Sequence, residues 1–257
     1  MNRPVPGEIP EALDEEYAER VKTFASDCSS GSSIACHQLA EFKSVVLSDF
    51  TSSFNLYLKS CYSESHLKNS QGLQGMVETK EGGRFYPPSC FNLGRQYLAG
   101  RGCEQSDEKA FKALARSCEY GKHAGACQFL GKMLSSTEPT NKKFYDPLRA
   151  LDAFKSACVQ GGDSNSCGLA GTLLLNSENR YKDVAQKIGE KERKEVAEDL
   201  FKRGCSGGYA RCCFNLAVMY KKCGDTSNFD KYSEITKDMV RRGEGAGVGT
   251  NDVTKTG

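Results

Sequence analysis

The chain is expected to fold as an all-α, right-handed α-solenoid of about five helix-turn-helix repeats, each stapled by a disulfide between its two helices. Three observations predict this. The cysteines fall in pairs: Cys28 with Cys36, Cys118 with Cys127, Cys158 with Cys167 and Cys205 with the doublet Cys212-Cys213, while Cys61 and Cys90 form the same pair stretched by an insertion. Four residues before each first cysteine stands Phe24, Tyr57, Leu114, Phe154 or Phe201, and eight before three of them stands Ala110, Ala150 or Ala197. Three residues after each second cysteine comes Leu39, Leu93, Leu130, Ala170 or Leu216, followed always by a small residue, Ala40, Gly94, Gly131, Gly171 or Ala217. Steps of three and four mark one face of a helix.

Taken in order, residues 1–10 are Pro-rich and read as a flexible start. Residues 11–242 read as the repeat array, with units near 15–45, 46–102, 106–140, 146–177 and 192–225 and a terminal helix to about 242. The second unit carries a polar, Gly-containing insertion at 64–86, and SSTEPTNKKFYDP at 135–147 reads as a shorter loop. The charged run from Tyr181 to Arg203 reads as a solvated helix face that includes a second insertion at 177–195. Residues 243–257, GEGAGVGTNDVTKTG, have the composition of a disordered tail.

Within each unit the first cysteine ends one helix and the second opens the next. The ends of a tight helical hairpin lie close together, and a disulfide needs Cα atoms about 5.5–6 Å apart. The expected bonds are Cys28–Cys36, Cys61–Cys90, Cys118–Cys127, Cys158–Cys167 and Cys205–Cys213. Cys213 is favoured over Cys212 because Cys213-Phe-Asn-Leu superposes on Cys90-Phe-Asn-Leu. Cys103, Cys212 and Cys223 are then left as free thiols, read as small, partly buried hydrophobes. Gly161-Gly162 and Gly207-Gly208 follow helix ends, where a left-handed turn favours glycine, so they are turns and not phosphate cradles.

Composition excludes several classes of function. With 35 basic and 33 acidic residues, net +2, no strong field steers the chain to nucleic acid or to an anionic membrane. Its apolar runs are too short to span a bilayer. Thirteen cysteines are many, yet the start MNRPVPGEIPEALDEEYAER has no apolar core of a signal peptide. That combination implies reduced cytosolic thiols or an oxidising compartment reached by another route. No C-x-x-C occurs, and His37, His66 and His123 fall in different places, which argues against structural zinc and a thioredoxin-like dithiol. No nucleophile elbow, P-loop, dinucleotide fingerprint or H-E-x-x-H is present, so no enzyme is expected.

The spacing resembles the Sel1-like repeat family, whose L-G-x-x-Y-x-x-G-x-G motif is matched by Leu93, Gly94, Tyr97, Gly100 and Gly102. Cysteines stand where ordinary Sel1 repeats often carry alanine. The resemblance covers roughly residues 15–240 and is most specific in the third to fifth units. Within that family the layout is similar to a cysteine-rich branch that serves cytochrome c oxidase assembly in the mitochondrial intermembrane space. The shared features are five cysteine-bracketed hairpins, the acidic triplet Asp14–Glu16, and the closing stretch GCSGGYARCCFNLAVMYKKCGD. The inserts at 64–86 and 177–195, the 47-residue step from Cys158 to Cys205 and the Gly-rich tail depart from it.

The resemblance implies a monomeric, non-catalytic scaffold that binds assembly intermediates or other assembly factors. It also implies oxidation by the intermembrane-space disulfide relay during import. Composition and motifs add no nucleic acid and no membrane insertion. With no fixed ligand pair and no C-x-x-C-H motif, no resident cofactor is expected, although haem has been linked to the resembled branch. One alternative is a haem-binding or thiol-active factor that delivers cofactor or exchanges disulfides, since thiolate and imidazole both ligate haem iron. Another is a secreted, cysteine-rich Sel1-repeat protein, although such chains carry an export signal and more even spacing.

Overall fold

Helix starts along the chain are set by short polar side chains that accept from backbone N–H groups three residues ahead, which would otherwise go unbonded. Ser32, Ser106, Asp146, Asp163 and Asp225 each do this, accepting from Ala35, Lys109, Arg149, Ser166 and Asn228. The structure, a computed structural model, describes residues 15–62, 77–78, 84–139, 141–178 and 180–243. The start at 1–10, most of the insertion at 64–86 and the tail from 244 lie outside the described residues. Two compact units divide the chain, residues 1–126 and 127–257.

In the first unit, α1 (Glu15–Ser29) pairs with α2 (Ser33–Val45), and α3 (Phe50–Tyr62) pairs with α4 (Pro87–Ala99). Helix α5 (Asp107–Ala115) follows and runs into a single π turn at Arg116–Tyr120. Between the hairpins, α2 packs on α3 and α4 on α5. Helix α6 (Ala124–Ser135) contains the point of division. In the second unit, α7 (Pro147–Val159) pairs with α8 (Ser164–Leu175), and α10 (Glu190–Ser206) pairs with α11 (Ala210–Cys223). The short α9 (Lys182–Lys187) lies between those hairpins in sequence, α8 packs on α10, and α12 (Thr226–Arg241) packs along α11.

Packing explains why a small residue recurs four places after each second cysteine. A Cβ added to Gly94 would stand 2.7 Å from the Leu114 side chain. One on Gly131 would stand 2.6 Å from the Phe154 ring, and one on Gly171 2.6 Å from the Phe201 ring. Leu114, Phe154 and Phe201, each four places before a first cysteine, are therefore knobs, and the glycine of the preceding repeat is the hole that receives each. Leu114, Phe154 and Phe201 are almost wholly buried, a burial that contributes about 1.5–3 kcal/mol for each such side chain.

Two stretches differ from their sequence reading. The insertion at 64–86, expected as a polar loop, contains a two-residue antiparallel pair, β1 (Val77–Glu78) with β2 (Arg84–Phe85), and ends in a buried ring. Phe85 is fully buried, with the Arg116 guanidinium 4.5 Å from its ring centre. The charged run at 181–203, expected as one solvated face, breaks at Ile188-Gly189 into α9 and α10. Arg193 is only 6% exposed. It donates to the carbonyls of Ala185 (3.3 Å) and Ile188 (2.6 Å) and to Glu178 (2.6 Å). Its planar fork satisfies acceptors that the end of α9 leaves open, which a lysine could not do with the same geometry.

Helix α12 begins like the first helix of another repeat but does not continue as one. Eight and twelve residues after the cap Asp146 stand Phe154 and Cys158; at the same distances after the cap Asp225 stand Ser233 and Lys237. Both the knob and the disulfide are thus replaced by polar groups. A polar closing element of this kind is what an array of stacked repeats needs to remain soluble.

Candidate functional site

The structure brings cysteines together at the ends of the hairpins. Cys28 and Cys36 are bonded with Cα atoms 4.6 Å apart; Cys61–Cys90, Cys158–Cys167 and Cys205–Cys213 each have Cα atoms 4.8 Å apart. Cys118 in the π turn and Cys127 in α6 are disulfide-bonded as well. The remaining thiols are separate. Cys103 is half-buried, Cys212 buried and Cys223 exposed.

Neither of the two covered thiols is set up as a nucleophile. Burial pushes the Cys212 thiol up to about 12, and its sulfur sits 3.8 Å from the Ser164 carbonyl. Burial raises the Cys103 thiol as well, with only a partial offset from Lys109. A reactive cysteine needs the opposite shift, toward thiolate. Glycine makes room for Cys212: a Cβ on Gly168 would lie 3.0 Å from its sulfur, and one on Gly204 would collide with it.

A second recurring feature connects one repeat to the next. The residue directly after each second cysteine reaches the N-terminal end of the following repeat's second helix. His37 meets Tyr86 with ring centres 4.9 Å apart, and Phe91 meets His123 at 4.7 Å. Gln128 donates to Asp163 at 2.8 Å, and a Cβ on Gly168 would lie 3.0 Å from the Tyr209 ring. Tyr86, His123, Asp163 and Tyr209 all stand four residues before a second cysteine. The chemistry changes from ring on ring to hydrogen bond to glycine under ring, while the positions stay fixed.

The first of these junctions is a buried polar network that the sequence reading did not isolate. His37 is 7% exposed and lies between the rings of Tyr57 and Tyr86. Its Nδ1 is 2.9 Å from Ser89 Oγ, Ser89 Oγ is 2.7 Å from Ser60 Oγ, and Ser60 donates to the Ser33 carbonyl at 2.6 Å. Each hydroxyl has one proton, so the fixed carbonyl acceptor sets the direction: Nδ1–H donates to Ser89, Ser89 to Ser60, and Ser60 to Ser33. Burial, with the positive charge of a protonated His123 adding to it, lowers the His37 pKa to about 4 and outweighs the exposed Glu41 carboxylate, which lies 3.5 Å from Nε2 and favours the charged ring. The ring is therefore neutral at physiological pH, and the Tyr57 hydroxyl is likewise held protonated by burial. The signal available in sequence was positional, since His37 directly follows the second cysteine.

His66 lies outside the described residues. Among the described residues no group of three or more His, Cys, Asp or Glu side chains is placed to hold a metal ion, and no helix is long and apolar enough to cross a membrane.

Comparison of the coordinates with solved structures decides the fold. A Sel1 repeat protein from Oxalobacter formigenes superposes with a TM-score of 0.61 over 87% of this chain and 82% of that one, at 17% identity. The fold is that of Sel1-repeat proteins. A protective antigen with this fold from uropathogenic Escherichia coli gives a TM-score of 0.58 over 85% of this chain and 40% of that one. In sequence, the chain is similar to cytochrome c oxidase assembly factor 7 of Xenopus tropicalis, 25% identical over 210 residues that span 80% of this chain and 77% of the relative. The Mus musculus protein of the same name is 30% identical over 136 residues, 52% of this chain and 54% of that one. No protein-family model matches the chain.

Proposed function

We propose that this protein is a non-catalytic, protein-binding scaffold of the mitochondrial intermembrane space that supports assembly of cytochrome c oxidase. The observation that carries the reading is the similarity, over most of its length, to proteins named as assembly factors for that complex. The fold supports it, because stacked helical pairs present extended surfaces suited to other proteins. So does the chemistry, since the bonded cysteines are hairpin staples and the Cys103 and Cys212 thiols are shifted away from reactivity. Stable disulfides in a mitochondrial chain call for an oxidising compartment, and the intermembrane space with its disulfide relay supplies one.

The test is disruption of the gene in the source organism, followed by native-gel analysis of cytochrome c oxidase. We expect loss of the assembled enzyme, restored by the intact gene; normal assembly in the disrupted cells would sink the reading. Protease protection in swollen mitochondria, with alkylation of free thiols, locates the protein and its redox state together. Purified oxidised protein lacking a Soret band after incubation with haemin would count against the cofactor-delivery alternative.

A further inference from the structure

We infer that Phe214 at the start of α11 is an open docking position for a single helix of a partner protein, one whose first turn presents a ring followed by small residues. The inference rests on the scaffold reading and names the surface that reading requires. It follows from continuity with the junctions inside the chain. His37, Phe91, Gln128 and Gly168 each take the N-terminal end of the next repeat's second helix. Phe214 occupies the same place after Cys213, but α12, which only begins like a repeat's first helix, is followed by no second helix among the described residues. The Phe214 ring is accordingly 56% exposed, and Val240 on α12 is 65% exposed. Met239 next to Val240 and Cys213 next to Phe214 touch, with their sulfurs 3.6 Å apart.

The local sequence states what should fit. Cys213-Phe214-Asn215-Leu216 repeats Cys90-Phe91-Asn92-Leu93 letter for letter. Phe91 takes the imidazole of His123 and packs against Gly125, where an added Cβ would lie 2.8 Å from the ring. A ring, then a small residue, then glycine is therefore the matching pattern. The chain's own entry side does not supply it: the corresponding residue of the first repeat is Ser32, already engaged in capping Ala35. Head-to-tail stacking of a second copy would bring a serine to the ring.

The probe is a synthetic peptide of residues 120–135, YGKHAGACQFLGKMLS, carrying Cys127→Ser to prevent thiol exchange. It is used free and also fused after Gly257 of the oxidised full chain, so that weak binding is read at high effective concentration. We expect backbone amides at 214–218 to exchange at least about tenfold more slowly in the fusion. We also expect free-peptide binding to weaken at least about tenfold with Phe214→Ala or with His123→Ser in the peptide. No protection in the fusion, or binding indifferent to Phe214→Ala, overturns the inference. So does sedimentation of the unmodified chain as a dimer that Phe214→Ala dissolves, because the occupant is then a second copy. In disrupted cells, a folded Phe214→Asp chain should fail to restore cytochrome c oxidase. Full rescue by it overturns the docking site and leaves the scaffold reading standing; that reading falls only if disruption itself leaves the enzyme intact.

Discussion

The hairpins α3–α4 and α7–α8 close in the same way over very different lengths of chain. Cys158–Cys167 spans nine residues and Cys61–Cys90 spans 29, yet both bring Cα atoms to 4.8 Å. The geometry at the bonded end is thus set by the two helices and their neighbours, whatever the length of chain between them. Energetically the two are not equal. In the chain-entropy model a bond that closes the longer loop restrains the unfolded chain by about 3.6 kcal/mol, against about 2.6 kcal/mol for the shorter. The long hairpin also supplies Tyr57, Ser60, Tyr86 and Ser89 to the buried His37 junction, while at the matching junction the α7–α8 hairpin supplies Asp163 to Gln128.

The largest test of this contrast removes each bond in turn. Cys61→Ser with Cys90→Ser should cost about 3.6 kcal/mol and Cys158→Ser with Cys167→Ser about 2.6 kcal/mol in urea unfolding. Equal losses, or the reverse order, would show that the insertion already restrains the unfolded chain. A second test uses pH, because His37 of α2 is buried against the long hairpin. The His37 pKa is about 4 when folded and about 6.5 when unfolded, so the unfolded chain binds more protons between those values. Its contribution is complete above about pH 6.5 and is lost as pH falls through about 4, a change of about 3 kcal/mol. A His37→Asn chain should lose correspondingly less stability between neutral pH and about pH 4, and parallel curves would place the sensitivity elsewhere. The smallest effect belongs to the holes. Gly131→Ala forces a methyl against the Phe154 ring and should cost about 1–3 kcal/mol by calorimetry. The opposite change in the long hairpin's neighbour, Ala40→Gly, should cost about 1 kcal/mol through helix propensity alone.

The helical pairs were legible because their signals are local. A ring, a cysteine and a small residue at steps of three, four and eight leave little freedom once the chain is helical. What escaped depends on contacts across repeats. Arg193 belongs to a run whose charge reads as solvated, and only the open carbonyls at the end of α9 show why it is buried. Phe85 closes a polar insertion, and it is buried in a cluster with Tyr57, Leu93 and Ala113, with Arg116 over its ring, groups that α3, α4, α5 and the π turn bring to it. His37 and Phe214 both follow a second cysteine, but one is enclosed by the next repeat and the other is exposed, with no following repeat among the described residues. Sequence marked both positions without telling them apart.

The order of the cysteines also bears on how the chain would become oxidised if it emerged from a pore N-terminus first. Between Cys28 and Cys36, Cys61 and Cys90, and Cys158 and Cys167 no other cysteine intervenes. For these pairs the first thiol to arrive after the leading cysteine is the right one, and threading itself sorts the connectivity. Cys205 differs, because Cys212 reaches it one residue ahead of Cys213. That last pair would need an exchange step to settle, and the deep burial of Cys212 in the folded helix is what makes the exchange final.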